Sequence, residues 1–509
     1  MFTKISSFGL FGLNAFPVDV EIETSRGIPQ FDIVGLPDTV VRESRERIRA
    51  ALRSCDMTFP TSSVMINLAP ASTKKSGSVH DMAILTAVLC SMNIINEVSY
   101  DCAFIGEVSL GGDFRYINGV LSMVILAREM GKKSIFVPYD NALEASAIQG
   151  IDIYAVKNTN ELISHLRNEK LITPCKHYIP PETEYNEVLD FADVKGQQSA
   201  KKALEIAAAG GHNAILIGPP GSGKSMLAKR MPSILPPLTF EEAIETTKIH
   251  SVAGSLNEKN PIITKRPFRS PHHTISSSGL IGGGTIPRPG EISLAHNGLL
   301  FLDELAEFNR GTLDMLRQPV EERYVSISRI AGTIIYPCSL MLITATNPCP
   351  CGYFGHPTRK CICSPKRVKN YISKISGPFL DRLDLHIEAA PVNFQEISLK
   401  TKEESSAEIR KRVIAARKIQ EERFKGTSIT CNALITDNKL HEICVTDDAA
   451  EKILKNIMEN LNLSGRAYSK ILKVSRTIAD IDGSEIIHRQ HIAAAAQYRS
   501  LDRKYWNGE

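Results

Sequence analysis

The stretch Gly-Pro-Pro-Gly-Ser-Gly-Lys-Ser at residues 218–225 constrains the fold of this chain more than any other feature. It follows the apolar run 214–217, which is typical of a buried parallel strand, and precedes residues 226–230, which have a helical pattern. Strand, glycine-rich loop and helix in this order predict a phosphate-binding loop, because glycine lets backbone N–H groups turn towards the phosphates. We expect Lys224 to reach the β- and γ-phosphates and Ser225 to hold Mg²⁺. The predicted contacts of the nucleoside triphosphate are Gly218, Pro219, Pro220, Gly221, Ser222, Gly223, Lys224 and Ser225.

Polar residues follow two other strand-like runs. Asp303 and Glu304 come directly after the apolar run 299–302, and Asn347 follows the run 340–346. Ligands of open α/β sheets bind at the carboxyl ends of the strands, where these side chains would meet the phosphate loop. We expect Asp303 to hold Mg²⁺ through water and Glu304 to polarise the attacking water. Asn347 is predicted to orient that water, with a simple polar cap of the strand end as the alternative.

The order of these motifs resembles that of an AAA+ ATPase of the magnesium-chelatase-like branch, specifically the YifB/ComM family. The resemblance covers essentially the whole chain. It runs through DVKGQ at 193–197, the phosphate loop, LLFLDE at 299–304, Asn347 and GPFLDRLD at 377–384, and its most specific segment is RPFRSPHHT at 266–274. It implies an α/β domain with a parallel sheet, ATP and Mg²⁺ as ligands, and nucleotide contacts at Val194 and Gly196.

Two arginines complete the site that this resemblance implies. Arg382 is implied to be the arginine finger, which stabilises the γ-phosphate of a neighbouring subunit, and Arg466 to be the sensor arginine acting within its own subunit. A surface ion pair is the alternative for each, and Arg476 competes with Arg466 for the sensor role. A finger that acts between subunits needs an oligomer. A closed homo-oligomeric ring, for which we expect six subunits, supplies one finger to every site.

The chain between the phosphate loop and Asp303 is far longer than one helix and two strands require. The excess contains a cationic segment with proline and glycine, which resembles the helix-2 insert that points loops into the channel of such rings. A second segment, 323–336, resembles the pre-sensor hairpin of helicases. We expect these loops to follow a phosphate backbone without reading its sequence, with a solvated basic loop as the alternative. The candidate DNA contacts are Arg266, Arg269, His272, His273, Arg288 and Arg329.

Four of the 11 cysteines lie close together in the sequence, directly after Asn347. Four thiols on tight turns that contain glycine and proline are suited to tetrahedral Zn²⁺. We expect the ion to stabilise the loop beside the ATP site and to take no part in catalysis. The Cys-x-Cys spacing is less typical of zinc sites, so His356 is a possible replacement ligand and four reduced thiols are the alternative. The predicted ligands are Cys349, Cys351, Cys361 and Cys363.

Residues 1–170 resemble the Lon-protease-type domain, with the segment 69–81 at the place of its nucleophile. Val79 stands at the position of the nucleophilic serine and Leu121 at that of its lysine partner, so the Ser–Lys dyad is absent and a protease is not expected. Ser76 and Ser78 lie nearby but do not align with the dyad. We expect this domain to serve ring assembly or DNA binding, through Lys74, Lys75 and the basic helix Arg42–Arg53.

The pattern of elements divides the 509 residues into three domains and a linker. We expect the Lon-like α+β domain at 1–170, a linker at 171–188, the ATPase core with its insert and cysteine loop at 189–393, and a helical lid at 394–509. The hydrophobic content of 43% is ordinary for a globular protein. A net charge of +4 is too small to indicate a polyanionic partner, so a nucleic-acid surface has to be local.

We expect a cytoplasmic location and no membrane partner, because the chain has neither a signal peptide nor an apolar run of roughly 20 residues. The family resemblance implies a ring-forming ATPase that couples ATP hydrolysis to translocation on single-stranded or branched DNA. By the same resemblance, its role is branch migration during natural transformation or recombination. The alternative is a chelatase-like motor that remodels a partner protein.

Overall fold

A computed structural model describes residues 2–180, 189–256, 261–284, 287–329, 332–391, 403–461 and 463–499. The described residues fall into two compact units. The first spans Met1–Glu182 and Phe240–Thr264, and the second spans Thr183–Thr239 and Lys265–Glu509. None of the described helices combines the length and the apolar character that crossing a membrane requires. The expected linker lies partly, and the expected boundary at 393/394 wholly, outside the described residues.

The strands alternate with helices through most of the chain. They are β1 Phe2–Phe11, β2 Asn14–Ser25, β3 Gln30–Val34, β4 Ser63–Ala69, β5 Cys102–Phe104, β6 Glu107–Val108, β7 Phe114–Arg115, β8 Ser134–Pro138, β9 Asp152–Val156, β10 Ala214–Ile217, β11 Phe268–Arg269, β12 Gly282–Gly283, β13 Arg288–Pro289, β14 Leu299–Leu302, β15 Tyr324–Arg329, β16 Gly332–Pro337, β17 Met341–Thr346 and β18 Leu385–Glu388.

The helices lie between these strands and fill most of the C-terminal region. They are α1 Thr39–Ser54, α2 Asp81–Ser91, α3 Val120–Glu129, α4 Ala142–Ala145, α5 Thr159–Leu166, α6 Gln198–Gly210, α7 Lys224–Arg230, α8 Phe240–Ala253, α9 Ser277–Ile281, α10 Glu291–Leu294, α11 Arg310–Met315, α12 Arg317–Glu322, α13 Pro365–Ile372, α14 Gly377–Leu380, α15 Ser406–Arg423, α16 Leu440–Ile443, α17 Asp448–Leu461, α18 Gly465–Ile481 and α19 Arg489–Gln497. Short 3₁₀ turns occur at Tyr139–Asn141, Phe191–Asp193, Met231–Ile234, Leu305–Glu307, Asn432–Leu434 and Asp437–Lys439.

The first unit is an α+β domain on a mixed sheet with the strand order β3-β4-β2-β1-β5-β8-β9. Its helix α2 is buried almost all round, whereas α1 is amphipathic and begins where Asp38 accepts a hydrogen bond of 2.8 Å from Val41 N. Helix α8 belongs to this unit, in which its Ser251 hydroxyl donates to the buried Glu144 carboxylate at 2.5 Å. Burial raises the pKa of Glu144, although hydrogen bonds from Ser251 and from Leu121 N act against the increase.

The positions that align with a Ser–Lys dyad are apolar in this unit. Leu121 is fully buried in α3 and Val79 packs against the same core. The hydroxyl of Ser78 donates to the Glu107 carboxylate, so it has an acid beside it and not a base. The expectation that Lys75 contacts DNA is wrong, because its side chain is fully buried and its ammonium group donates to the carbonyl of Pro70.

The second unit has a parallel sheet with the order β11-β14-β17-β10-β18 among the described strands. All four residues of β10 and of β14 are buried, as the apolar runs predict. The parallel register brings Ile217 opposite Thr346, so the phosphate loop and Asn347 leave the sheet at the same edge. Helices α15 and α18 pack on α6, and the core of the sheet continues into this helical region. The predicted helical character of the C-terminal region is confirmed for the residues described there.

Candidate nucleotide-binding site

The loop 218–223 joins β10 to α7 in a conformation that depends on glycine. Gly221 and Gly223 have φ values of +77° and +85°, which L side chains adopt only with strain. A Cβ at Gly218 would collide with the carbonyl oxygen of Ala389 and lie 3.0 Å from the Ser222 hydroxyl oxygen. Gln197 fixes the loop from outside through a hydrogen bond of 2.9 Å to Ser222 O. The loop therefore has the form that a phosphate cradle needs.

Lys224 is the first residue of α7, and its side chain turns back into this loop and reaches the end of β17. Its ammonium group donates to Gly218 O at 2.7 Å, to Pro219 O at 2.9 Å and to Asn347 Oδ1 at 3.2 Å. Burial lowers the pKa of Lys224 to about 8, and the negative charge of Asp303 opposes that decrease. The structure thus brings Lys224 and Asn347 together, as their places at the ends of two neighbouring strands predict.

The two predicted magnesium ligands are in direct contact. The hydroxyl of Ser225 donates to Asp303 Oδ2 at 2.6 Å, and the other carboxylate oxygen of Asp303 accepts from Glu304 N at 2.9 Å. A hydroxyl and a carboxylate oxygen at the end of a parallel sheet form a donor set that fits Mg²⁺. When bound, the ion neutralises charge on the phosphates, and Ser225 and Asp303 are the residues that would hold it.

Glu304 has a backbone conformation and a side-chain contact that the sequence did not predict. Its φ of +52° is in the left-handed region, which is uncommon for residues other than glycine. Its carboxylate lies 3.4 Å from Nδ1 of His273, whose ring packs against that of His272 at a centroid distance of 4.1 Å. His273 was predicted as a DNA contact, and the structure places it beside the residue expected to polarise the attacking water.

Val194 and Gly196, which the family resemblance implies to be nucleotide contacts, lie just before α6. Val194 is buried, and Gly196 N donates to Glu403 Oε1 at 3.1 Å. Glu403 also pairs with Lys201 at 3.1 Å. These contacts hold Gly196 and the start of α6 against the residues that precede α15.

The three candidate arginines have different surroundings. The guanidinium of Arg382 donates to the carbonyls of Arg317 and Pro378 and pairs with Glu321 at 2.6 Å. Arg476 is 1% exposed and is bound to Asp480 and to the carbonyls of Ser484 and Glu485. Arg466 is exposed in the first turn of α18. Of the two sensor candidates, Arg466 is therefore the one whose guanidinium faces solvent.

A largely buried network, whose charged pair Asp384–Lys470 is 13% and 15% exposed, joins the Arg382 segment to the residue before β10. Asp384 pairs with Lys470 of α18 at 3.0 Å and accepts from Asn213 N at 2.9 Å. Burial acts to raise the pKa of Asp384, but Lys470 and His212 outweigh it and hold the pKa well below its usual range. Asn213 also donates to Arg382 O at 3.3 Å. The motif at 377–384 contained Asp384, but only tertiary contacts give it these partners.

The helix-2 insert and the second hairpin lie together in the second unit. Tyr336 of β16 donates to Pro287 O at 2.9 Å, and Arg329 Nε donates to Gly284 O at 3.4 Å. Arg288 and Arg329 are both exposed on this pair of hairpins. Two loops that the sequence proposed separately as DNA contacts therefore form one surface.

Two other candidate DNA contacts are engaged within the protein. Arg266 donates to Pro236 O at 2.7 Å, to Asn297 O at 2.7 Å and to Pro237 O at 3.2 Å. Arg269 makes a bidentate pair with Glu291, with both distances at 2.6 Å. Such pairs fix the geometry of an arginine. In this conformation both side chains tie the insert to its surroundings, whereas His272 remains exposed.

The four predicted zinc ligands converge. The Sγ atoms of Cys349, Cys351, Cys361 and Cys363 all lie within 4.8 Å of one another. The Cys349–Cys351 and Cys349–Cys361 distances are 3.3 Å and 3.7 Å, and tetrahedral Zn²⁺ with bonds of 2.3 Å separates its sulfurs by about 3.8 Å. The cluster thus fits the ion. His356 is not part of it, and its Nδ1 accepts from the N–H of Arg359 at 3.0 Å.

The pKa values of two thiols in the cluster are shifted in opposite directions. Burial raises the pKa of Cys349 to about 12. For Cys351, burial acts upward as well, but the N–H groups of Tyr353 and Ile362 outweigh it and lower the pKa to about 6. Since the thiolate is the ligand form, the N–H groups that lower the pKa of Cys351 favour metal binding.

The fold and this constellation define an AAA+ ATPase of the magnesium-chelatase type. Family models agree over three ranges: "Magnesium chelatase, subunit ChlI" matches residues 190–397, "Subunit ChlI of Mg-chelatase" matches residues 20–141, and the C-terminal part of the same subunit matches residues 403–499. ATP and Mg²⁺ are the ligands that fit this family.

The chain belongs to the YifB/ComM family. It is 41% identical over 498 residues to the uncharacterized protein YifB of Escherichia coli, a match that covers 97% of this chain and 96% of the relative. It is 40% identical over 500 residues to the competence protein ComM of Haemophilus influenzae, with the same coverage. The chain is also 28% identical over 183 residues to Lon protease 2 of Bacillus subtilis, a match that covers 33% of this chain and 30% of that protein. The predicted family and fold class are confirmed.

Proposed function

We propose that this protein is a ring-forming ATPase that couples ATP hydrolysis to translocation on DNA, and that it acts in branch migration during recombination or natural transformation. In this proposal Lys224, Ser225 and Asp303 bind Mg-ATP, and Glu304 and Asn347 direct the attacking water. Arg382 would act on the nucleotide of a neighbouring subunit in a homo-hexameric ring. A cytoplasmic location belongs to the same proposal.

One observation carries the choice of DNA. The insert and the β15–β16 hairpin meet at Tyr336 and Pro287, and both present an exposed arginine, Arg288 and Arg329. Cationic loops of this kind bind a phosphate backbone irrespective of sequence and with strong dependence on salt. The name of the relative ComM, a competence protein, agrees with a role in natural transformation.

The test is a panel of single-stranded, duplex and branched DNA, measured for stimulation of ATP hydrolysis and for branch migration. We expect stimulation by single-stranded or branched DNA, and a weaker response in Arg288→Ala and Arg329→Ala. Each lost contact should reduce the slope of log affinity against log salt by about 0.7 for a single strand. Lys455→Ala, an exposed cation of α17, is the matched control and should retain the full response. An ATPase that is indifferent to every DNA would refute the proposal.

The match to a magnesium-chelatase subunit favours one other candidate, a motor that remodels a partner protein. This function predicts ATP hydrolysis that depends on a protein partner and ignores DNA. The same measurement of ATP hydrolysis, repeated with and without cell extract from the source organism, separates the two functions. Stimulation of hydrolysis by an extract that has been treated with nuclease would favour remodelling of a partner protein.

We further infer that the four thiols hold one Zn²⁺. The fit of the sulfur distances to a tetrahedral site supports this inference.

The exposed position of Arg466 supports its role as the sensor arginine. Arg466→Ala should lower the rate of hydrolysis, whereas Arg476→Ala should destabilise the lid, because the buried guanidinium of Arg476 binds Asp480 and the carbonyls of Ser484 and Glu485.

A further inference from the structure

Gly352 of the cysteine loop lies directly against Pro220 of the phosphate loop. Its φ is +82°, and a Cβ on it would lie 2.7 Å from Cγ of Pro220 and nearer still to Cδ. Real Cβ atoms essentially never approach a neighbour to less than 3.0 Å. Only glycine therefore lets the two loops touch at this point.

The contact is part of the cysteine cluster itself. Gly352 follows Cys351 directly, and its N–H donates to Cys349 O at 2.9 Å, so a turn that contains two of the four thiols presents Gly352 to Pro220. The same loop begins at Asn347, which accepts from Lys224. The cysteine loop thus contacts the phosphate-binding segment at two places: Asn347 accepts from Lys224, and Gly352 packs against Pro220.

We propose that zinc binding to this cluster holds the phosphate loop in its nucleotide-binding form through the contact of Gly352 with Pro220, so that zinc occupancy sets the affinity for ATP. The inference rests on the proposed ATPase function and zinc site. Zn²⁺ binds the four sulfurs as thiolates, displacing the protons that the thiols still carry, and the four sulfur bonds fix the turn at 349–352. The four cysteines are otherwise free thiols, so that the ion supplies the covalent connection between the turn and Cys361 and Cys363.

The first experiment uses the full-length protein in three forms: as purified, after removal of zinc with a chelator, and after zinc is added back. Zinc is counted by mass spectrometry, and affinity is measured with a fluorescent ADP analogue at constant Mg²⁺. We expect one zinc per chain, about tenfold weaker nucleotide binding after removal, and recovery with Zn²⁺ but not with additional Mg²⁺; a tenfold change corresponds to 1.4 kcal/mol.

The second experiment separates the loop contact from metal loss. Gly352→Ala adds a methyl group against Pro220 and should weaken nucleotide binding by about tenfold while one zinc per chain remains bound. Gly426→Ala is the matched control, because Gly426 has a similar φ of +79° but nothing within 4 Å of the added carbon. It carries the same backbone strain without the collision and should leave affinity within twofold.

Each part of the inference can fail separately. Zinc-free purified protein that does not take up Zn²⁺ would overturn the metal site. Unchanged affinity in both the zinc-free protein and a zinc-loaded Gly352→Ala would overturn the coupling and leave the ATPase proposal intact. If the zinc-loaded wild type bound no nucleotide at all, the proposed function itself would be refuted.

Discussion

Replacing Asp384 by asparagine tests whether the buried network stabilises the ATPase unit. The carboxylate pairs with Lys470 at 3.0 Å and accepts from Asn213 N at 2.9 Å. The amide introduced by Asp384→Asn would keep an oxygen for Asn213 but remove the charge opposite Lys470, whose side chain is 15% exposed. Breaking such a pair on one side costs about 3–5 kcal/mol, because a buried ammonium is left without its partner. Asp381, which also attracts Lys470, moves the expectation to the lower end of that range.

The assay is thermal unfolding of the full chain, followed by calorimetry. The unfolding transition whose temperature rises when ADP is added is assigned to the second unit, because a ligand stabilises the unit that binds it. A loss of about 3 kcal/mol should lower the temperature of this transition by about 5 °C, because the unfolding entropy of a unit of about 300 residues is large. Glu307→Gln is the control, because its pair with Lys374 is 3.6 Å long and roughly half exposed on both sides. Such exposed pairs contribute about 0–1 kcal/mol.

A shift in Asp384→Asn no larger than that of Glu307→Gln would refute the reasoning. The double variant Asp384→Asn with Lys470→Met gives a second check. Because it removes the unpaired ammonium, it should recover part of the lost stability. If the double variant were less stable than the sum of the two single changes, the ion pair could not be the source of the effect.

Three predictions concern the nucleotide site. Since burial lowers the pKa of Lys224 to about 8 and phosphate charge favours its protonated form, ATP binding should take up a proton above pH 8. Affinity should then fall by up to about tenfold per pH unit, measured by calorimetry in two buffers; pH-independent affinity from 7 to 9.5 contradicts this. Glu304→Gln should bind ATP but hydrolyse it at least about 100-fold more slowly, measured by single turnover. Mixing inactive Lys224→Ala with inactive Arg382→Ala should restore hydrolysis at about a quarter of the sites, and no recovery would argue against a finger acting between subunits.

The sequence predicted the parts of this protein whose signals are local. Four consecutive apolar residues before a glycine-rich loop define β10, and four before Asp303 define β14, because a buried parallel strand needs no alternation. Asn347 follows a third strand-like run and was expected to meet the phosphate loop at the strand ends, and the structure brings it to Lys224.

The rest depended on tertiary packing, which periodicity does not encode. Lys75 follows an exposed lysine in a basic stretch, yet the fold buries it against Pro70. Asp384 and Lys470 are far apart in the sequence, and nothing in either segment indicates that they form an ion pair. Helix α8 joins the first unit through contacts between distant residues, among them the hydrogen bond between Ser251 and Glu144.

The contacts within the phosphate loop explain why its support from neighbouring loops matters. Lys224 donates to Gly218 O, Pro219 O and Asn347 Oδ1, and the Ser225 hydroxyl donates to Asp303. A phosphate that reaches Lys224 replaces existing acceptors, so that binding gains only the difference between two sets of hydrogen bonds. A displacement of the loop that lengthens the hydrogen bonds to phosphate therefore lowers the affinity. A rigid neighbour such as Gly352 then has a direct effect on binding, although it touches no phosphate.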